Sequence, residues 1–135
     1  MGRRSKAREC AFQILYQWQI TGDPMNAVLE GFWRVRSGTP AAREMAERLA
    51  CGARAQVAVL DAQIAEAATH WRIDRIAPVD RTILRLGSYE LAHEPSTPAA
   101  VVLDEAVELA KRFSTDDSGR FVNGVLSALV DDLRQ

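Results

Sequence analysis

The amino-acid sequence predicts an all-α protein. Apolar residues recur at steps of three and four along most of the 135 residues, which is the spacing of one buried helix face. No sustained two-residue alternation is present, so strands are not expected. Several prolines follow a capping side chain, and proline at the first helical position is typical of a helix start.

Six helices are expected, and each has its own signal. The first follows from the stripe Ala7, Cys10, Ala11, Ile14, Leu15 and Trp18. The next four begin at Asp23-Pro24, Thr39-Pro40, Pro78 and Thr97-Pro98, and the last begins at the capping cluster Asp116-Asp117-Ser118. The predicted helices cover residues 4–20, 24–37, 40–69, 79–93, 98–113 and 117–133.

The third predicted helix decides the expected architecture. About 30 residues at about 1.5 Å each span about 45 Å, whereas a domain of this length has a radius of gyration near about 14 Å. We therefore expect a long central helix shared by two small bundles, unless it bends at Gly52. Residues 1–135 would form one domain, with an N-terminal sub-bundle to about residue 70 and a C-terminal sub-bundle over about 71–135.

The composition is that of an ordinary globular protein, with 47% hydrophobic and 26% charged residues. Whole-chain disorder and fibrous repeats are excluded on this ground. No apolar run approaches the roughly 18 residues of a membrane span, so no membrane association is expected.

Signals of catalysis, metal binding and cofactor binding are missing from the sequence. It contains no GxSxG, HExxH, Walker or GxGxxG motif. Cys10 and Cys51 are 41 positions apart, and His70 and His93 have no partner cysteine. We expect no catalytic residue, metal or cofactor, and we interpret both thiols as buried groups of a cytoplasmic protein.

The net charge of −1 conceals a strongly polarised chain. Residues 1–8 carry no acid and four basic side chains: Arg3, Arg4, Lys6 and Arg8. This segment has a charge of +4, and the 13 basic and 18 acidic residues elsewhere sum to −5. On a helix that begins near Arg4, a row of Arg4, Arg8, Phe12 and Tyr16 could contact phosphates and unpaired bases. The alternative is a solvated segment, with both rings packed on a neighbouring helix.

A second basic and aromatic point is Asp117-Ser118-Gly119-Arg120-Phe121. The free N–H groups of a helix N-terminus could receive a phosphate there. The alternative is a capped helix whose Phe121 enters the core. His70-Trp71 could likewise be a stacking pair or a helix-end packing contact.

Three stretches resemble the NusB family of bacterial transcription antitermination factors. They are Arg8-Glu-Cys-Ala-Phe-Gln-Ile-Leu-Tyr-Gln-Trp-Gln19, Val79-Asp-Arg-Thr-Ile-Leu-Arg-Leu-Gly-Ser-Tyr-Glu-Leu91, and Pro98 through Lys111-Arg112-Phe113 to Phe121-Val-Asn-Gly-Val-Leu126. Together they cover about half of the chain, in the family's order. The resemblance implies a NusB-like fold of two helical bundles.

The same resemblance implies a function. It implies binding of single-stranded boxA RNA in ribosomal-RNA leader transcripts, together with the small-subunit ribosomal protein that acts as NusE. The resulting complex would join NusA, NusG and RNA polymerase to suppress termination.

Individual positions carry over from the family as well. Arg4, Lys6 and Arg8 match its arginine-rich RNA-binding segment, and Asp117 and Phe121 match a second RNA-contacting region. The residues that match the NusE-binding surface are Tyr16, Asp80 and Arg85. Residues 21–75 carry no diagnostic match; His70 and Trp71 are candidates for a late-helix RNA-contacting aromatic, and Gly119 replaces a larger polar residue.

Two other functions stay open on the sequence alone. One is a helical protein–protein adaptor without RNA affinity, and the other is an RNA-binding accessory of an RNA-modifying enzyme. A homodimer through Phe12, Tyr16 and Phe32-Trp33 is also possible.

Overall fold

The structure is a computed structural model that describes residues 2–134; Met1 and Gln135, the ends of the predicted domain, lie outside them. The described part contains seven α-helices and no strand. The helices are α1 (Arg3–Thr21), α2 (Met25–Val35), α3 (Pro40–Ala55), α4 (Val57–Ala67), α5 (Pro78–His93), α6 (Ala99–Phe113) and α7 (Asp116–Leu133). A short 3-10 turn, Ile73–Arg75, lies between α4 and α5. The all-α prediction is confirmed.

The single helix predicted over 40–69 is wrong, because two helices occupy this stretch. The backbone leaves the helical conformation at Gln56 (φ −103°, ψ 16°), four residues beyond Gly52, where a bend was the alternative to one long helix. The break redirects the chain: α3 packs on α1 and α5, whereas α4 packs on α5 and α7. A straight helix could not follow both sets of neighbours.

Gly52 has a different role, which is close packing between α3 and α5. A Cβ at this position would lie 2.1 Å from Cζ of Tyr89, far inside van der Waals contact. Tyr89 in turn stacks on His93, with ring centroids 4.6 Å apart. The absence of a side chain at Gly52 therefore lets α3 approach α5 at this point.

Helix α5 is the central element of the fold. It contacts α1, α3, α4, α6 and α7, and its buried apolar residues Ile83, Leu84 and Leu91 belong to the main core. Its C-terminal carbonyl groups are capped by Arg134, whose Nε donates to the Leu91 carbonyl at 2.6 Å. The central helix is thus α5, on which both α3 and α4 pack. The division of the domain near residue 70 stays a prediction.

Candidate nucleic-acid interface

The first turns of α1 carry exposed positive charge. Arg3, Arg4 and Lys6, which we call the N-terminal arm, are all exposed, and the first turn contains no acidic residue. A helix N-terminus is itself the positive end of the helix dipole, so these cations have no local compensation from α1. Their internal contact is weak: Arg4 Nη2 donates to Thr97 Oγ1 at 3.4 Å.

Arg8, predicted to belong to the same RNA-binding segment, is instead buried, with 5% of its surface exposed. Its Nε donates to both carboxylate oxygens of Glu90 at 3.0 Å, and its Nη2 donates to Glu90 Oε2 at 2.6 Å. Nη1 lies 3.4 Å from Glu105 Oε1. The guanidinium is occupied by internal carboxylates and anchors α1 to α5 and α6.

The next residue of α1 is buried in the same way. Glu9 accepts a hydrogen bond from Arg112 of α6 and lies 3.8 Å from Arg36 Nη2. Phe12 is 3% exposed, and its ring packs against those of Tyr16 and Phe113. Of the predicted row of Arg4, Arg8, Phe12 and Tyr16, only Arg4 is therefore exposed. The Phe12 ring packs against Tyr16 of α1 and Phe113 of α6.

The second candidate region begins at the N-terminus of α7. Thr115 caps this helix, since its Oγ1 accepts a hydrogen bond from the Ser118 backbone N–H at 3.1 Å. Asp117 and Arg120 are exposed and form an ion pair with each other. Phe121 is partly buried and meets Trp71 edge to face, with ring centroids 6.2 Å apart.

Trp71 itself is 55% exposed, which is unusual for so large an apolar side chain. It lies in the irregular segment between α4 and α5. A tryptophan side chain normally buries most of its apolar surface in the core. The exposed half of the Trp71 ring, which lies beside Phe121, is instead available for stacking.

These rings border a pocket of about 300 Å³, which we call the aromatic pocket. It lies where the segment between α4 and α5 meets the first turns of α5 and α7. Its lining residues are Trp71, Arg75, Ile76, Ala77, Asp80, Asp117, Ser118 and Phe121.

The buried acid of the aromatic pocket is Asp80, which is 7% exposed. Its Oδ1 atom has no hydrogen-bond partner. Burial raises the pKa of this carboxyl above its ordinary value, and a hydrogen bond with Ser118 offsets part of the rise. The pocket thus combines two aromatic rings with a carboxyl group that is almost entirely buried.

The N-terminal arm and the aromatic pocket lie toward opposite ends of α5. Arg8, one turn from the arm, pairs with Glu90, whereas the pocket contains Asp80. Ten residues of helix separate these two acids, which corresponds to about 15 Å along the axis. The interval is bordered by the seam between α1 and α6, where Arg112 and Phe113 lie.

The three residues predicted to bind a partner protein are not grouped on one open surface. Arg85 donates from Nε and Nη2 to the Asp61 carboxylate, each at 2.7 Å, and from Nη1 to Gln19 at 2.6 Å. It is buried and holds α5 to α1 and α4. Tyr16 is partly buried against Phe12, and Asp80 lies in the aromatic pocket.

Within residues 2–134 no group of three or more potential metal-ligating side chains is found. Over the same range no helix is both long enough and apolar enough for a bilayer span. Cys10 is buried, and burial also raises the pKa of the partly buried Cys51 thiol.

A model of the NusB family matches residues 5–131. The chain belongs to the NusB family. The transcription antitermination protein NusB of Sorangium cellulosum is 45% identical over 133 residues, covering 98% of this chain and 95% of that protein.

Solved NusB structures share the fold. T. maritima NusB has a TM-score of 0.89 and 32% identity, covering 100% of this chain and 94% of that one. A chain from the crystal structure of antitermination factors NusB and NusE in complex with dsRNA matches with the same TM-score and identity, covering 98% of each chain. The predicted NusB-like fold is confirmed.

Sequence reasoning singled out Phe121 and Asp117 but missed Arg75 and the position of Asp80 in the same pocket. Residues 68–77 are mostly irregular, so periodicity cannot show which way their side chains point. One signal was available in the sequence. Trp71 is a large aromatic residue beside the charged residues Arg72 and Asp74, shortly before the helix start at Pro78.

Proposed function

We propose that this protein is a non-enzymatic, cytoplasmic RNA-binding transcription antitermination factor. Its family supports this proposal, since a relative whose fold it shares over 98% of both chains forms a complex with NusE and dsRNA. The curated relatives it resembles are named transcription antitermination proteins. The proposed RNA is a boxA-type single strand of ribosomal-RNA operon transcripts.

The N-terminal arm supplies the electrostatic part of the proposed binding. Arg3, Arg4 and Lys6 would neutralise phosphates and release counterions, so affinity should fall with salt. Arg8 stays with Glu90 and contributes rigidity to α1 rather than a phosphate contact. The arm itself reads no sequence, because phosphates are the same at every nucleotide.

The aromatic pocket supplies the contacts to bases. Trp71 and Phe121 offer π-faces for stacking, which requires a base that is not held in a duplex. Asp117 lines this pocket and pairs with the exposed Arg120, so the two side chains would offer an acceptor and a cation to the strand. Because stacking on these rings requires unpaired bases, the site favours a single strand over a continuous duplex.

A NusE-type ribosomal protein is the proposed protein partner, with NusA, NusG and RNA polymerase joining the assembly. Outside residues 1–8 the chain carries a net charge of −5, which would attract a basic ribosomal protein and accelerate association. Of the predicted partner-binding residues, Tyr16 is the one whose side chain we retain as a direct contact. Arg85 would act indirectly, by fixing α5 against α1 and α4.

The test is fluorescence polarisation with labelled boxA-type RNA, a scrambled strand and a duplex of the same sequence, at several salt concentrations. The triple variant R3A/R4A/K6A should reduce the magnitude of the log K against log [salt] slope by about 2, from about 0.7 for each lost phosphate contact. The matched control is R34A/R43A/R54A, which removes three exposed charges from α2 and α3 and should leave the slope unchanged.

Equal loss in the two triple variants would show that only total charge matters and would contradict the proposed site. Absence of binding to any RNA, combined with binding to the NusE-type protein, would favour a protein adaptor. Adding that protein should increase RNA affinity cooperatively.

A further inference from the structure

Glu9 is a single buried carboxylate shared by two arginines, Arg36 and Arg112, which we call the arginine pair. Glu9 is 6% exposed. Its Oε1 accepts a hydrogen bond from Arg112 Nη1, and its Oε2 lies 3.8 Å from Arg36 Nη2. These three side chains together carry a charge of +1. Because one cation balances one carboxylate, Glu9 accounts for only one of the two arginine charges.

The arginine pair is open to solvent, whereas the neighbouring cation of α1 is not. The side chains of Arg36 and Arg112 are 36% and 42% exposed. The side chain of Arg8, by contrast, is 6% exposed and lies 2.6 Å from the Glu90 carboxylate. An anion that approaches this side of α1 can therefore reach the arginine pair but not Arg8.

Both guanidinium groups are held in position by the protein itself. Arg36 Cζ lies 5.2 Å from the centroid of the Phe32 ring, and Arg36 Nη2 donates to Gln13 Oε1 at 2.5 Å. Arg112 Cζ lies 5.4 Å from the centroid of the Phe113 ring. A guanidinium group with a ring over its face keeps the edges of its fork for hydrogen bonds. Since both forks are already ordered, little entropy is lost when they bind an anion.

The arginine pair lies between the N-terminal arm and the aromatic pocket. Lys6 of the arm precedes Glu9 by three residues on α1, and residues three apart are neighbours on a helix surface. Arg112 comes three residues before Thr115, the cap of the helix whose first turn borders the pocket. A strand that engages both regions would thus run close to the pair.

We infer that the arginine pair binds one backbone phosphate of the RNA strand between the arm and the pocket. Guanidinium forks match the oxygens of a phosphate, and a phosphate would balance the charge that Glu9 leaves. The inference rests on the proposed RNA-binding function and adds to it a contact from the residue that follows α2. Because the phosphate is the same at every nucleotide, the pair contributes affinity and no sequence preference.

The experiment measures RNA affinity against salt concentration by fluorescence polarisation, with boxA-type RNA and with the scrambled strand. Arg36→Gln/Arg112→Gln keeps hydrogen-bond donors for Glu9 and removes both positive charges. It should reduce the magnitude of the log K against log [salt] slope by about 0.7, the value of one phosphate contact, equally for the two strands. The matched control Arg34→Gln/Arg54→Gln removes two exposed charges from α2 and α3 and should keep the wild-type slope. An unchanged slope in the first variant would overturn the inference.

Glu9→Gln gives a second test whose expected result is a gain, which loss of folded protein cannot produce. The substitution neutralises the internal carboxylate that competes with a phosphate for the arginine pair. RNA affinity should rise about two- to fivefold, the size of an exposed ion-pair interaction. The matched control Glu66→Gln, on the exposed face of α4, should leave affinity unchanged. Arginines that serve only to balance Glu9 would give no gain, and that result would contradict a phosphate site.

The outcomes separate this inference from the function on which it rests. If the wild type binds no RNA at any salt concentration, the proposed RNA-binding function fails. If R3A/R4A/K6A reduces the slope but R36Q/R112Q does not, the function stands and the arginine pair is not a phosphate site. If R36Q/R112Q keeps the RNA slope but weakens binding of the NusE-type protein, the pair contacts acidic groups of that protein and the inference is overturned.

Discussion

The N-terminal arm and the aromatic pocket have opposite origins. The arm consists of three residues within four positions of sequence, all exposed on the first turns of α1. The pocket is assembled from the segment after α4, the start of α5 and the start of α7, with its two rings 50 positions apart in the chain. Charge can be placed by sequence alone, whereas a shaped pocket requires the fold. The arm is therefore suited to attraction and the pocket to selection.

Arg8 marks the boundary between the arm and the core, and its removal should have the largest effect. Arg8→Ala leaves Glu90 buried without its partner, which should cost about 3–5 kcal/mol of unfolding free energy. Urea denaturation followed by circular dichroism measures it. The control Arg4→Ala should change stability by less than about 0.5 kcal/mol. A stable R8A variant with weakened RNA binding would return Arg8 to the arm.

Trp71 tests whether the pocket binds bases by stacking. Trp71→Ala should lose about 1–3 kcal/mol of RNA affinity with an unchanged salt slope, whereas R3A/R4A/K6A should reduce that slope. Trp71→Phe should retain most of the affinity, because it keeps a π-face. Fluorescence polarisation across salt concentrations measures both quantities. A change in slope for Trp71→Ala would mean that the two regions do not act separately.

The capping residue below the pocket has a matched partner elsewhere in the chain. Thr115 caps α7 and Thr39 caps α3, and each Oγ1 accepts a backbone N–H at 3.1 Å. Replacing either by Ala should cost about 1 kcal/mol of stability, measured by thermal denaturation. Only Thr115→Ala should also weaken RNA binding, since the first turn of α7 forms the pocket. Equal RNA affinities in the two variants would mean that the first turn of α7 does not contribute to RNA binding.

The smallest expected effect is on the pH dependence of stability through Asp80. Burial raises the pKa of its carboxyl in the folded state, so the protonated form favours folding. That contribution is present below the unfolded pKa of 3.8 and is lost as pH rises through the folded value. Asp80→Asn should therefore be more stable than the wild type at pH 7, by about 1 kcal/mol, and the difference should shrink toward pH 4. A constant difference across this range would contradict an unpaired Asp80.

The sequence predicted most of the helices because their signals are local. The stripe in α1 and the proline starts of α3 and α5 depend only on spacing and capping chemistry. The break at Gln56 could not be predicted, because it depends on α3 and α4 having different neighbours. Residues 53–59, around the break, contain no glycine or proline that would predict it.

The site was only partly predictable for a related reason. The arm charges of Arg3, Arg4 and Lys6 are visible in the sequence, and so is the α7 start. The burial of Arg8 is not visible in the sequence. The apolar stripe of α1 predicts a single buried face, which assumes that the helix packs on one side only. Helix α1 packs on α2, α3, α5 and α6, so its polar residues enter the interior as well. Trp71 lies in irregular chain and Arg75 ends a single 3-10 turn, and neither segment is long enough to show a helical period.

Helix α5 fixes the distance between the N-terminal arm and the aromatic pocket. The axial separation of about 15 Å between Glu90 and Asp80 is fixed by a buried helix, and a stacked strand advances about 3.4 Å per nucleotide. A strand that engages both regions must therefore extend over about four or more nucleotides. Shorter oligonucleotides would occupy one region at a time and would gain nothing from the second. The proposed binding mode therefore makes the minimum length of RNA bound with full affinity depend on the spacing of the two regions along α5.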